Sequence, residues 1–513
     1  MPILQQSFSY QPVELKFGTS GLRGLVIDMT DLECYINTAG FLRFLVDQGV
    51  PRGTVYVAGD LRDSTPRMLG AVIRAVTDEG FVADYQGLIP TPALAYWAML
   101  NQALCIMVSG SHIPADRNGI KFYKQDGEVL KADEAPIKEA VAGVRQECYS
   151  QGAAVSPFKN NGMLRQKTDL PAPAPAARQA YIRRYLDVFP ADCLQGKKIV
   201  VYQHSAVGRD MLVEVLQGLG AEVASVGRSE VFVPVDSDNI TAKDQSYFKA
   251  LLQKNPGAFA LVSTDGDGDR PLLVDEAGEF HYGDMLGVVA ADWAKADFAA
   301  IVEIANDALD TELAKKHTPY VRTKVGSPHV IEAMQQAAAA GKKRVVGWEL
   351  NGGFLLGTDL ALPGGILKAL VTRDSFLPLI VCLVSAVSAK TKISDIFARL
   401  PQRFTATNLL DNFPSEVSRA ILAKFPDDSQ EARGGLSQFF TSAEGFDEIT
   451  RISTVDGIRI TFANGDIAHI RPSGNAPQLR IYSVANSKVR AEKIVALAVA
   501  DDGILRRMAK KVS

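Results

Sequence analysis

Cysteine is scarce and scattered in this chain: five residues among 513, at positions 34, 105, 148, 193 and 382. Their odd count and the lack of a CxxC spacing argue against a disulfide framework and a structural zinc site, and they fit a reducing cytoplasm. Long apolar runs are missing too. The most extended one, from Phe376 to Ser388, is shorter than a bilayer span and contains Pro378, so it reads as a buried core helix. Met1 to Tyr10 has no basic region followed by an apolar core, so no signal peptide is expected there. Charge of one sign is not in excess: 55 Lys and Arg stand against 58 Asp and Glu, a net charge of −3. That balance gives no bulk attraction to nucleic acid or to an anionic membrane, so neither is expected as a partner. No GxxxxGK[ST] loop is present, which removes a Walker-type nucleotide site, and no GxGxxG follows a strand and opens a helix, which argues against dinucleotide binding.

What is present is an alternation. With 47% apolar residues the chain can fill several cores, and its length suggests about two to five domains. Val55–Ala58, Ala103–Val108, Ile199–Tyr202, Ala258–Val262, Ala300–Ile304 and Val345–Val346 read as buried strands. Pro66–Asp78, Arg209–Leu219 and Pro328–Ala340 between them have helical spacing. The rhythm implies α/β layers. A weak repeat runs through it, with a strand, a polar loop and a helix at TVYVAG–DLRDSTPR, KIVVY–QHSAVGRD and AIVEI–ANDALD, though any α/β protein shares that rhythm. Pro171–Ala177 reads PAPAPAA and predicts an extended linker. Domain boundaries are expected near 160, just after Arg270 and near Pro401, giving segments 1–160, 178–270, 271–400 and 401–513. In the last segment, short strands over Glu448–Thr461, Asp466–Ile470 and Arg480–Val484, then a helix over Ser487–Ala500, predict a smaller α+β domain.

Glycine gathers in a few polar clusters. Ser109-Gly110-Ser111-His112-Ile113-Pro114 follows a predicted strand, and Lys121 lies ten residues beyond Ser111. Ligands in open α/β sheets sit beyond the carboxyl ends of strands, so Ser111 is either a reactive hydroxyl or a simple helix cap. Asp265-Gly266-Asp267-Gly268-Asp269-Arg270 also follows a strand. Three carboxylates at alternate positions can converge on one hard cation. An EF-hand is excluded, because Arg270 occupies the sixth position where glycine is needed and the upstream segment is strand-like. A magnesium site beside a phosphate fits better. Gly347-Trp348-Glu349-Leu350-Asn351-Gly352-Gly353 offers a carboxylate and an amide to adjacent sugar hydroxyls, or is a plain turn. Arg471-Pro472-Ser473-Gly474-Asn475-Ala476-Pro477, with Arg480 beyond, is either an anion nest or a tight turn between strands.

In their order along the chain these clusters, with FGTSGLRG from Phe17, resemble the alpha-D-phosphohexomutase superfamily of phosphomannomutase and phosphoglucomutase enzymes. The matching motifs are an N-terminal glycine loop with an Arg, a TxSHNP-type serine loop, DGDGDR, a GExSG-type loop and an RPSGTEP-type loop. The resemblance spans nearly the whole chain. It implies three similar mixed α/β-sandwich domains and a smaller α+β C-terminal domain around a central cleft. It implies that Ser111 is phosphorylated, that Asp265, Asp267 and Asp269 bind Mg2+ together with a phosphoserine oxygen, and that Lys121, His112, Arg23 and Arg270 line the phosphoryl-transfer centre. Glu349 and Asn351 would then meet sugar hydroxyls, and Arg471, Ser473, Gly474, Asn475 and Arg480 the phosphate that is not transferred. The implied reaction passes a phosphoryl group between the 6- and 1-positions of a hexose phosphate through a sugar 1,6-bisphosphate, which also serves as activator. A monomer or weak dimer is expected.

Departures from the pattern bear on the substrate. Ile113 stands for the usual Asn, Asn351 for Ser, Trp348 precedes Glu349, and Asn475-Ala476 replaces Thr-Glu. The serine, the aspartates and the clamp arginine are kept. The altered sugar loop resembles neither GEQSGH nor GEESFG, which favours mannose phosphate. Glucose or glucosamine phosphate, or a catalytically silent sugar-phosphate binder, remain as alternatives.

Overall fold

The computed structural model describes residues 2–18, 21–473 and 477–512. The chain divides into two compact units, Met1–Ala299 with Gly326–Phe397, and Ala300–Val325 with Ala398–Ser513. The first unit begins with a sheet of β1 (Lys16–Phe17), β2 (Leu22–Leu25), β3 (Thr54–Gly59), β4 (Val82–Leu88), β5 (Leu104–Val108), β6 (Arg117–Lys124) and β7 (Gly127–Glu128). Their order is β1-β2-β6-β5-β3-β4, with β7 paired to β6. β3 is parallel to β4 and β5, and β6 turns back antiparallel to β5. Helices Asp31–Asp47 and Thr65–Asp78 pack on this sheet, where Phe41 stacks on Phe122 at 4.6 Å. Thr65–Asp78 buries Met68, Leu69, Val72, Ile73 and Val76, the apolar stripe of a helical period.

The second sheet repeats the first. It holds β8 (Lys198–His204), β9 (Glu222–Arg228), β10 (Ala258–Thr264), β11 (Pro271–Asp275) and β12 (Phe280–His281) in the order β12-β11-β10-β8-β9. β8 is parallel to β9 and β10, and β11 turns back antiparallel to β10, as β6 does to β5. The next strands in the chain are β13 (Phe298–Val302) and β14 (Tyr320–Thr323), then β15 (Val345–Trp348) and β16 (Phe354–Leu356), a third antiparallel return. β17 (Leu360–Leu362) and β18 (Gly365–Leu367) form a small hairpin, and β19 (Leu370–Asp374) pairs with β16. The weak repeat of the sequence is therefore real in the sheets. In each case a chemical cluster occupies the turn between the last buried strand and its antiparallel return.

The predicted strands and helices are found within a few residues of their expected bounds. The apolar run forms helix Phe376–Ser388, buried along its first two turns. Among the described residues no helix is long and apolar enough to cross a membrane. One local expectation needs correction. The linker is extended only to Ala174, because a helix begins at Ala176 directly after Pro175. Ala-Ala-Arg-Gln is good helix-forming sequence, and a proline at a helix start sacrifices no needed N–H. The linker is not free chain either: Ala174 N donates to Tyr85 O at 2.8 Å.

The second unit contains an antiparallel sheet of β20 (Phe404–Leu410), β21 (Ile449–Ser453), β22 (Ile458–Phe462), β23 (Ile467–Pro472) and β24 (Leu479–Ala485), ordered β20-β24-β23-β22-β21. Helix Lys488–Val499 covers it, and Ile504–Lys510 adds a last helix that the sequence reading did not include. This is the smaller α+β element. Two arginines bind segment Ala300–Val325 into the same unit: Arg403, just before β20, forks onto both oxygens of Asp307 at 2.9 Å, and Arg459 on β22 donates to the carbonyls of Glu303 and Ala305.

Candidate active site

Ser111 follows β5 by three residues and lies in left-handed backbone at φ 56°, a region that costs a non-glycine residue about 1–2 kcal/mol. Its side chain is 1% exposed. The conformation is held from outside the loop. Arg62, on the turn after β3, donates to the carbonyls of Ser111 (2.9 Å), Ile113 (2.6 Å), Pro114 (2.7 Å) and Arg117 (2.9 Å). Arg62 is fixed in turn by Asp60 at 3.1 Å and by the Phe232 ring 3.8 Å from its guanidinium carbon. Asp60 also accepts from Ser109 Oγ at 2.8 Å, and Ser109 Oγ accepts from Ser111 N at 2.8 Å. Neither Asp60 nor Arg62 stood among the expected site residues. Their loop read only as the polar part of a repeat, and their partners lie about fifty residues further along.

The aspartate loop meets the serine directly. Ser111 Oγ donates to Asp265 Oδ2 at 2.5 Å, and glycine is needed at 266 because a Cβ there would stand 2.7 Å from Ser111 O. Asp265, Asp267 and Asp269 are all buried, with one carboxylate oxygen from each within 4.8 Å of the others. Burial, then the two neighbouring carboxylates, push the Asp265 carboxyl well above its ordinary range. Lys121 Nζ donates to Oδ2 of Asp267 at 2.6 Å and to Oδ2 of Asp269 at 2.8 Å, and Thr91 Oγ1 donates to Asp267 at 2.6 Å. Oδ1 of Asp267 and Oδ1 of Asp269 are left buried with no hydrogen-bond partner. Two orphaned anionic oxygens in a group of three carboxylates are the donor set a hard divalent cation takes, so these residues fit a metal ion.

Cations surround the cluster. Burial by itself would lower the Lys121 ammonium, but Asp267 and Asp269 outweigh it and hold it above the usual lysine range. Arg270 is buried and bonds to Asp238 Oδ2 at 3.1 Å and Asp236 Oδ1 at 3.4 Å. Arg23 lies on β2, opposite Gly119 of β6. His112 Nδ1 is 3.3 Å from Ser111 Oγ, and burial followed by Arg270 and Arg23 pushes the ring down to about 2, so it is neutral.

The third turn brings up Glu349. Asn351 Oδ1 accepts from Gly353 N at 2.9 Å and shapes the turn. Trp348 is fully buried and stacks on Phe354, a packing residue rather than a ligand. Arg373, at the end of β19, joins this turn to the aspartates. Its Nη1 donates to Glu349 Oε2 at 2.9 Å and its Nη2 lies 3.0 Å from Asp269 Oδ2. It is a third residue the sequence reading missed, because a lone arginine in a strand carries no motif.

In the second unit Arg471 and Arg480 stand directly opposite each other on β23 and β24. Arg471 Nε donates to Asp456 Oδ2 at 2.7 Å, and Arg480 Nη2 donates to Gln478 Oε1 at 3.2 Å. Ser473 N donates to Gln478 O at 2.9 Å and closes the base of the turn. Gly474 and Asn475 lie outside the described residues.

Comparison with known proteins decides the family. The family model described as phosphoglucomutase/phosphomannomutase, alpha/beta/alpha domain I, matches residues 14–147, that of domain III residues 282–404, and that of the C-terminal domain residues 416–500. A phosphomannomutase of Sinorhizobium fredii is 40% identical over 94% of this chain and 98% of its own. The chain belongs to the phosphoglucomutase/phosphomannomutase family. A phosphomannomutase of Salmonella muenchen is 39% identical over 94% of each chain. The fold of a Burkholderia thailandensis phosphoglucomutase/phosphomannomutase family protein superposes with a TM-score of 0.72 at 18% identity, covering 98% of both chains. An Aspergillus fumigatus N-acetylphosphoglucosamine mutase, solved with GlcNAc-6P and magnesium, gives 0.52 at 15% identity over 91% of this chain and 84% of its own. This family member is a phosphohexomutase, an isomerase-class phosphotransferase.

Proposed function

We propose that this phosphohexomutase works on mannose phosphate, moving a phosphoryl group reversibly between the 6- and 1-positions through a phosphoserine at Ser111 and a sugar 1,6-bisphosphate. One observation carries the reading: Ser111 offers a buried hydroxyl 2.5 Å from one member of a three-aspartate cluster whose other two members hold Lys121. A pure sugar-phosphate binder has no use for that arrangement. Mannose is favoured by the phosphomannomutase relatives at 40% and 39% identity and by the altered sugar loop.

Asp265, Asp267 and Asp269 would hold Mg2+ together with an oxygen on Ser111, and the ion, when bound, offsets charge on the phosphoryl oxygens. The Aspergillus enzyme of the same fold was solved with magnesium and GlcNAc-6P, a sugar phosphate like the substrate proposed here. Lys121, kept protonated by Asp267 and Asp269, faces the transferring group as a fixed cation. His112 Nδ1, 3.3 Å from Ser111 Oγ, is the neighbour placed to relay the sugar hydroxyl's proton to Ser111, once the negative charge of the phosphoryl group offsets the burial and the arginines that hold its ring down. The phosphorus–oxygen bond to Ser111 breaks as the bond to the sugar hydroxyl forms, and Ser111 regains its proton. The bisphosphate then returns its other phosphoryl to Ser111. Loss of the bisphosphate would leave Ser111 unphosphorylated, which is why the bisphosphate is proposed as activator. Arg23 and Arg270 add positive charge on the serine side, while Glu349 and Asn351 hold the sugar. Arg471, Ser473, Gly474, Asn475 and Arg480 grip the other phosphate; the register of β23 and β24 sets the two arginines side by side, as a pair of guanidinium groups sharing one anion would be.

The same proposal includes division of the chain near 160, 270 and 400, a monomeric or weakly dimeric state and a cytoplasmic location. The matches to domains I, III and IV support the division, and five free cysteines support the location. The test is a comparison of kcat/KM on the 1-phosphates of mannose, glucose and glucosamine, primed with bisphosphate. Mannose should be preferred, Ser111→Ala should lose turnover while keeping sugar-phosphate binding, and a chelator should stop the reaction. Preference for glucose or glucosamine 1-phosphate would replace the substrate, and full turnover by Ser111→Ala would sink the mechanism.

A further inference from the structure

We infer that Arg373 is a positioning residue that sets Glu349 at a fixed distance from the aspartate cluster, so that the sugar is presented in register with the phosphoryl group. This rests on the assignment of Glu349 to the sugar. Arg373 is 5% exposed, and its one guanidinium serves two turns. Nη1 donates to Glu349 Oε2 at 2.9 Å, while Nε and Nη2 fork onto Asp269 Oδ2 at 3.1 and 3.0 Å. Lys121 Nζ takes the same Asp269 oxygen at 2.8 Å. With Oδ2 so occupied, Oδ1 is left without a hydrogen bond, 3.8 Å from Arg270 Nε. One rigid planar group thereby ties Glu349 to Asp269, and Lys121 fixes that aspartate independently. A lysine cannot do this, because a point charge on a flexible stem has no fork.

The sugar loop is built around this strut. A Cβ at Gly353 would stand 2.6 Å from Arg373 Cγ and 2.7 Å from its Cβ and Cδ. The glycine therefore leaves the channel through which the Arg373 stem passes, and the Asn351 side chain holds Gly353 in place at 2.9 Å. This gives a physical reason for the Asn-Gly-Gly ending of the sugar loop. Ser327 and Thr372 link Arg373 to Glu128 on β7 of the first sheet. Arg373 Nη1 lies 3.4 Å from Ser327 Oγ, Ser327 donates to Glu128 Oε2 at 2.5 Å, and Thr372 donates to Glu128 Oε1 at 2.7 Å. The side chain is thus restrained from three directions, as a positioning group must be.

The experiment measures kcat/KM for mannose 1-phosphate, primed with bisphosphate, and Mg2+ binding by calorimetry. It compares wild type, Glu349→Gln, Arg373→Gln, Arg373→Lys, Gly353→Ala and the double variant Glu349→Gln/Arg373→Gln. Arg373→Gln is expected to lose about 10- to 100-fold in kcat/KM. Arg373→Lys should recover little of that loss, and Gly353→Ala should reproduce it with every charge intact. The double variant should lose no more than the worse single one, because both act through Glu349. Mg2+ should still bind to Arg373→Gln. Wild-type kcat/KM in Arg373→Gln, full recovery by Arg373→Lys, losses that multiply in the double variant, or loss of Mg2+ binding would each overturn the inference while the proposed function stands. A wild type that turns over no hexose phosphate would overturn the proposed function and this inference with it.

Discussion

Ser111 and His469 show what single residues contribute here. Ser111 is strained and its loop is anchored, which fits a group that must be presented to a phosphoryl acceptor rather than one that caps a helix. His469 has no place in the proposed chemistry, yet it makes a pH prediction. Its Nε2 lies 2.6 Å from Asp456 O while Nδ1 is buried without a partner, so a second ring proton would be buried unsatisfied. Burial, then the charge of Arg459, pushes the ring down to about 3. In the unfolded chain a histidine takes its proton near about 6.5. Below that pH the unfolded state binds the extra proton and the folded state does not, so stability falls as pH drops from about 6.5 towards 3, by at most about 1.4 kcal/mol per pH unit. Urea unfolding between pH 7 and 5, followed by circular dichroism, should show a shallower decline for His469→Gln than for wild type; equal slopes would refute it.

At the scale of elements, three turns between a buried strand and its antiparallel return supply Ser111, the aspartates and Glu349. The strands and the cluster sequences were legible because apolar runs and motif glycines are local signals. The supports were not. Arg62 is one basic residue in Asp-Leu-Arg-Asp, and its four carbonyl partners are fixed by the sheet rather than by neighbours in sequence. Arg373 shares that difficulty. Helix Phe376–Ser388 was legible because it is apolar almost throughout, whereas Pro171–Ala177 misled at its end because alanines after a proline start a helix as readily as they extend a linker. The Arg62 support can be tested. Its pair with Asp60 is buried, and breaking such a pair costs about 3–5 kcal/mol. Arg62→Ala should therefore lower the urea midpoint and, by loosening the serine loop, reduce kcat about 100-fold. Unchanged kcat in a folded Arg62→Ala variant would remove the loop anchor from the account.

For the whole molecule, the two compact units allow separate observation. The three tryptophans, Trp97, Trp293 and Trp348, all belong to the unit that holds the aspartates. Tryptophan fluorescence therefore reports on that unit. A ligand that binds only the folded state stabilises by about 2.7 kcal/mol at a hundred times its dissociation constant. Mg2+ should raise the fluorescence unfolding midpoint of wild type, and Asp267→Asn should abolish the shift; a shift retained in Asp267→Asn would exclude the aspartate cluster as the metal site. Fold class and family were legible from sequence because five clusters occur in a fixed order. The sugar preference was less so, since it depends on a loop whose shape is set by Asn351, Gly353 and Arg373 together.

The central claim is that Ser111 carries the phosphoryl group. It is tested most directly by incubating the enzyme with hexose 1,6-bisphosphate and Mg2+, quenching in acid, and mapping the modified peptide by mass spectrometry. A phosphoryl group on Ser111, discharged when hexose monophosphate is added, is the predicted result. A label on another residue, or an unlabelled Ser111 in an enzyme that turns over, would contradict it.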